Sequence, residues 1–144
     1  MMPWRVVVFL APLCPICQDY TAFLNALNEA WSEEPVELVG LFPGNEVTEG
    51  DIAAFAERYH VTWEMGLDVN GMADSLGAAW TPEVFVLDAN GAVHYRGRVN
   101  DFYYALGKHR AKPKTHDLRD AVAALLDGRA PRDSTTQAIG CPIP

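Results

Sequence analysis

Two cysteines, Cys14 and Cys17, enclose Pro15 and Ile16 directly after the apolar run Val6-Val7-Val8-Phe9-Leu10. From Pro15 onward, Tyr20, Phe23, Leu24, Leu27 and Trp31 recur at helical spacing, so the pair opens a helix. A cysteine at a helix N-cap meets unpaired backbone N–H groups and the positive end of the helix dipole, and both stabilise a thiolate. Pro15 suits the first helical position, where its missing N–H costs nothing and its fixed φ is already helical. A lowered thiol pKa makes such a cysteine a nucleophile near neutral pH. Cys17 lies one helical turn on, within reach of a mixed disulfide formed on Cys14. The expected chemistry is dithiol–disulfide exchange in which Cys14 attacks and Cys17 resolves. It needs no metal and no organic cofactor, only a thiol or disulfide protein to supply or take the electrons.

The same spacing also occurs as half of a zinc site, which needs a second Cys or His pair. Cys141 stands alone, and His60, His94, His109 and His116 form no tight pair, so no metal site is expected. A buried, inert pair is the other alternative, and the helix-start position with the adjacent proline predicts exposure instead. Cys141 itself admits three roles: a second resolving thiol reaching Cys14 or Cys17, an intermolecular disulfide, or packing under the C-terminal tail.

Further along, Trp80-Thr81-Pro82 leads into the apolar run from Val84. A proline at a strand entrance is compatible with a cis bond, although trans is the default for X–Pro. Trp80 is placed to line a substrate groove. Glu83 and Asp68 are conceivable proton carriers for Cys17, but each reads more simply as a solvated surface carboxylate. His109, Arg110, Lys112, Lys114 and His116 form a small basic patch that reads as a solvated loop.

The elements that must position these residues follow from periodicity. Strands are expected at Arg5–Leu10, Val36–Phe42, Val84–Asp88 and Val93–Arg98, with a weaker one at Trp63–Leu67. Asn90-Gly91 between two apolar runs signals a hairpin. Helices are expected at Pro15–Trp31, at Asp51–Tyr59 and around Leu118, Val122, Leu125 and Leu126, with Gly128 as a stop. Phe102–Lys114 reads as a long loop. This order implies an α/β domain over residues 1–128, parallel at first and closing with an antiparallel hairpin capped by a helix. Residues 129–144 read as an extended tail.

Length and composition fit one domain with a real core, because 144 residues are 49% hydrophobic and 21% charged. A net charge of -8 repels phosphate backbones and excludes nucleic acid as a natural partner. The first apolar run is too short to span a bilayer, and Pro12-Leu13 after it offers no signal-peptide cleavage site. The sequence as it stands carries no address: it fits the cytoplasm if the chain is full length and export if a leader has been removed. Oligomeric state is left open.

Taken together, Cys14-Pro15-Ile16-Cys17, Thr81-Pro82 and Val84-Phe85-Val86-Leu87-Asp88-Ala89-Asn90-Gly91 resemble the thioredoxin superfamily. More narrowly they resemble its redoxin branch, related to alkyl hydroperoxide reductases and thiol-specific antioxidant proteins. Tyr95-Arg96-Gly97-Arg98-Val99-Asn100-Asp101 and the ending Gly140-Cys141-Pro142-Ile143 are similar to bacterial redoxin-domain proteins. The resemblance implies a thioredoxin-like fold, a central mixed β-sheet flanked by α-helices with an irregular C-terminal tail. It implies that Pro82 is cis, beside the active-site disulfide, and that the backbone of Thr81 hydrogen-bonds a thiol substrate. Two departures stand out. Leu13 replaces the Trp that precedes the first cysteine of thioredoxins proper, and Pro15-Ile16 replaces their Gly-Pro. Ala11 stands where peroxiredoxins carry a Thr. A thiol peroxidase with Cys14 as the peroxidatic residue is therefore the runner-up, followed by a non-catalytic binding module with a structural Cys14–Cys17 bridge.

Overall fold

The computed structural model describes residues 3–144; the first two positions of the expected 1–128 unit lie outside the described residues. Five strands form the central sheet: β1 (Trp4–Phe9), β2 (Val36–Phe42), β3 (Glu64–Leu67), β5 (Glu83–Leu87) and β6 (Val93–Gly97), with β4 (Trp80–Thr81) just before β5. Their order is β3-β2-β1-β5-β6. β1 runs parallel to β2 and β2 to β3, whereas β5 is antiparallel to both β1 and β6. The parallel half thus comes first and the antiparallel hairpin last, as the order of sequence patterns implies.

Alternation along the strands sends side chains to two separate cores. Val6, Val8, Val84 and Val86 face α1 (Pro15–Ala30), α2 (Glu49–Arg58) and α4 (Asp117–Leu126), which supply Leu24, Phe55, Leu118 and Val122 to that cluster. Val7, Phe9, Phe85 and Leu87 face the other way, toward α3 (Met72–Leu76) and Ile143. Cys14 and Cys17 belong to the first cluster, so the thiols lie on the helix-rich face.

Three differences from the sequence expectation bear on the site. Phe102–Lys114 is not a plain loop: β7 (Tyr103–Ala105) and β8 (Lys108–His109) pair across a turn at Leu106-Gly107. The hairpin holds because Phe102 and Tyr103 pack into an aromatic group with Tyr20, Phe23 and His109. Second, α3 and β4 are too short to show a period. Third, the tail is extended but docked. Residues 134–136 add to the edge of β6, and β9 (Cys141–Pro142) pairs antiparallel with β4.

Candidate active site

The chain leaves β1 and turns through Ala11-Pro12-Leu13 before α1 begins. Two hydrogen bonds pin that turn, from Cys14 N–H to Ala11 O at 3.2 Å and from Gln18 Nε2 to Pro12 O at 3.0 Å. Cys14 is the N-cap of α1, with Pro15 in the first turn. Its sulfur accepts the backbone N–H of Cys17 at 3.4 Å, one of the orphan donors that every helix start leaves. As a thiol, Cys14 also donates to the carbonyl of Thr81 at 3.3 Å. This single contact joins the start of α1 to the strand entrance 67 residues away.

The two thiols are electrostatically unequal. A hydrogen bond from the Cys17 thiol, aided by one from Cys141, outweighs burial and holds Cys14 down at about 5. Burial, reinforced by the neighbouring Cys14, pushes Cys17 well above the ordinary thiol range. Burial and the negative charge of Cys14 push Cys141 up to about 12. A thiol ionised near neutral pH therefore lies beside two protonated ones. Among the described residues, no group of three His, Cys, Asp or Glu side chains is disposed to hold a metal ion.

Opposite Cys14, Thr81 and Pro82 are buried and the peptide between them is cis. Thr81 pairs in register with Cys141, and its hydroxyl donates to the Cys141 carbonyl at 3.3 Å. Cys14, Cys17, Thr81, Pro82 and Cys141 are thus brought together. Trp80 stands apart: it is half-buried, lies in register with Pro142, and its indole packs in neither apolar cluster.

Three expectations are corrected. Cys14 is only 4% exposed, not open to solvent, because the strand around Cys141 lies across it. Glu83 is not a solvated carboxylate. It is buried and accepts the backbone N–H groups of Ala79 at 2.8 Å and Trp80 at 3.3 Å, with Arg96 at 3.3 Å. Glu83 alternates with Val84 and so points to the sheet face carrying Phe85 and Leu87, away from the thiols. Asp68 is half-buried and caps the start of α3 through the N–H groups of Met72 and Ala73. Both carboxylates are thus engaged away from Cys17, Glu83 with Ala79, Trp80 and Arg96 and Asp68 with both oxygens on the start of α3. The basic patch is partly neutralised as well, since Arg110 pairs with Asp101 at 3.2 Å.

Sequence reasoning noted Leu13 only as a departure from thioredoxins proper and assigned no site role to it or to Tyr20 and Tyr103. Leu13, beside Cys14, is 89% exposed. The Tyr20 hydroxyl donates to Asn100 O and accepts the N–H of Tyr103, while Tyr103 bonds Asp19 through its own hydroxyl. Burial and that Asp19 contact push the Tyr103 phenol up to about 12. Only Leu13 carried a usable signal, as a large apolar residue in a turn; the tyrosines read as one more helix stripe and one more loop.

Comparison with known proteins fits this architecture. The model of the Redoxin family matches residues 5–102. Among solved structures, an uncharacterized conserved protein from Geobacillus kaustophilus is similar at TM-score 0.83 and 23% identity, over 98% of this chain and 76% of that one. A hypothetical protein from Sinorhizobium meliloti 1021 is similar at TM-score 0.80 and 23% identity, over 99% of this chain and 79% of that one. A thiol-disulfide oxidoreductase from Bacteroides fragilis is similar at TM-score 0.57 and 16% identity, over 65% of this chain and 71% of that one. No curated protein matches. The family match takes in β1, the Cys14–Cys17 turn and the Thr81–Pro82 entrance to β5, and on that ground the chain belongs to the Redoxin family, on a thioredoxin-like fold.

Proposed function

We propose that the protein is a thiol–disulfide oxidoreductase working on cysteine-containing proteins, with Cys14 as nucleophile and Cys17 as resolving thiol. The Cys14 thiolate attacks one sulfur of a substrate disulfide and releases the other as a thiolate. Cys17 then attacks Cys14, frees the second substrate sulfur, and passes its proton to that leaving thiolate. Two protein thiols become one disulfide while one substrate disulfide becomes two thiols, and the reverse direction reduces the enzyme. No metal or organic cofactor enters the cycle. Thr81 and Pro82, with Trp80 at the margin, form the docking edge. The unit is residues 1–128, with residues 129–144 as an appended tail.

The observation that carries this reading is the seat of Cys14 at the N-cap of α1, its sulfur on the Cys17 N–H at 3.4 Å and beside the Thr81 carbonyl at 3.3 Å. In that seat Cys14 is held at about 5, while burial pushes Cys17 well up. An attacking sulfur must be ionised, and a Cys17 that is still protonated carries the proton that the departing substrate thiolate takes up. The similar solved structure from Bacteroides fragilis, a thiol-disulfide oxidoreductase, supports the same class of chemistry. Equilibration of the reduced protein with glutathione buffers, followed by mapping of disulfides, tests it. A reversible Cys14–Cys17 disulfide is the expected result. No such disulfide, together with fast consumption of hydrogen peroxide, would replace the proposal with a thiol peroxidase.

A further inference from the structure

We propose that the tail segment from Ile139 to Ile143 is a built-in substrate strand, and that Cys141 is a third redox residue exchanging a disulfide with Cys14. This inference rests on Cys14 being the nucleophile.

The tail does not merely lie near the thiols. It forms an antiparallel pair with Trp80–Thr81, bonding as an added strand bonds a sheet edge. The register puts Cys141 opposite Thr81, the same residue whose carbonyl touches Cys14. Ile143 N–H donates to Ala79 O at 2.9 Å, and the Thr81 hydroxyl donates to Cys141 O at 3.3 Å, so the segment is held at the cysteine itself and two residues beyond it. Position 140 has to be glycine for this seat. A Cβ there would fall 2.3 Å from Thr81 O and 3.1 Å from Pro82 N. Ile139 and Cys141 pack against the same cluster as Cys14 and Cys17.

A second anchor sets the tether. Thr136 N–H donates to Arg96 O at 3.0 Å, and its hydroxyl accepts from Arg98 N–H at 3.0 Å. Gly97 makes room, since a Cβ there would lie 2.1 Å from the Thr136 hydroxyl. A tether of a few residues keeps Cys141 at an effective concentration on the order of millimolar at Cys14. An incoming disulfide therefore competes with the tail for both the edge and the sulfur.

The steps balance with an external disulfide such as oxidised glutathione. The Cys14 thiolate displaces one glutathione thiolate. Cys141 then attacks the Cys14 sulfur and expels the second glutathione, which takes the Cys141 proton. Two protein thiols are oxidised and one external disulfide is reduced. Attack by Cys17 on Cys14 converts this bridge to Cys14–Cys17 and returns Cys141 to a thiol with no net electron change.

The test treats full-length Cys17→Ser with oxidised glutathione, quenches in acid and maps disulfides by mass spectrometry. A Cys14–Cys141 bridge as the main product is expected. Glutathione retained on Cys14 with Cys141 free would overturn the inference. In parallel, Gly140→Ala, checked for intact fold by circular dichroism, should raise alkylation of Cys14 about ten-fold, the effect of losing roughly one net hydrogen bond's hold on the strand. An unchanged rate would equally count against the docked strand. The wild-type protein separates the two failures: absence of Cys14–Cys17 removes the proposed function, whereas its presence beside a glutathionylated Cys17→Ser removes only the role of Cys141.

Discussion

The backbone N–H of Cys17 points at the sulfur of Cys14 across 3.4 Å, so the proposed resolving residue helps ionise the proposed nucleophile. The Cys17 thiol adds the larger contribution to holding Cys14 at about 5. Alkylation of the reduced protein by iodoacetamide should therefore rise with pH through a midpoint near 5 and level off before neutrality, with Cys14 as the labelled site. Cys17→Ala removes the thiol donor but keeps the amide, and should move that midpoint upward without restoring an ordinary thiol. A wild-type midpoint in the usual thiol range, about 8.5, would remove the electrostatic basis of the proposed mechanism.

The same asymmetry ties stability to pH. Cys14 has a folded pKa below its unfolded value, so its ionisation stabilises the folded state fully above about pH 8.5. That contribution shrinks as pH falls and is gone below about 5, with a slope of at most about 1.4 kcal/mol per pH unit. Cys17 and Cys141 are raised, so their contributions are complete below the unfolded thiol pKa and are lost as pH climbs past it. Denaturant unfolding of the reduced protein should show stability climbing from pH 5 to about 8 and declining above about 9. Cys14→Ser should flatten the climb.

What the sequence made legible divides by range. The strands β1, β2, β5 and β6 and the helices α1, α2 and α4 announce themselves through local period and caps, and their ends shift by only a residue or two. The Cys14–Cys17 pair was legible for the same reason, because N-cap, Pro15 and apolar stripe are all local. The pairing of Thr81 with Cys141 depends on a contact across 60 residues, which no local pattern encodes. Burial of Cys14 follows from that contact, and so the expectation of an open thiol failed. Glu83 failed similarly. Its partners Ala79 and Trp80 are close in chain, but their unbonded N–H groups appear only once β4 leaves the main sheet.

Glu83 sets up a test of the docking edge. Its carboxylate takes the N–H groups of Ala79 and Trp80, immediately before Thr81, from the sheet face opposite the thiols. Glu83→Ala leaves two amides without acceptors and should lower stability by about 1–3 kcal/mol. It should also raise KM for a peptide disulfide while leaving the pH midpoint of Cys14 alkylation unchanged, because Glu83 positions the edge and does not touch the sulfurs. Glu83→Gln keeps an acceptor oxygen and should recover most of the KM. A shifted Cys14 midpoint in Glu83→Ala would show instead that the carboxylate reaches the thiols.

Leu13 gives a way to separate protein substrates from small ones. It precedes Cys14 and is 89% exposed, among the few large apolar side chains left in water. Covering such a side chain is worth roughly 1.5–3 kcal/mol when burial is complete. A partner that buries about half of it gains enough for a change near ten-fold in kcat/KM. Leu13→Ser should lower kcat/KM for reduction of a protein disulfide such as that of insulin by about that factor, chiefly through KM. Exchange with oxidised glutathione, too small to cover Leu13 and Cys14 together, should keep its rate. The substitution removes no hydrogen bond and no core contact, so the thermal midpoint should stay within a degree or two, as surface changes usually do. Equal losses toward insulin and glutathione would mean that Leu13 shapes the Cys14 turn itself, and that the partner-binding surface lies elsewhere along the Thr81 edge.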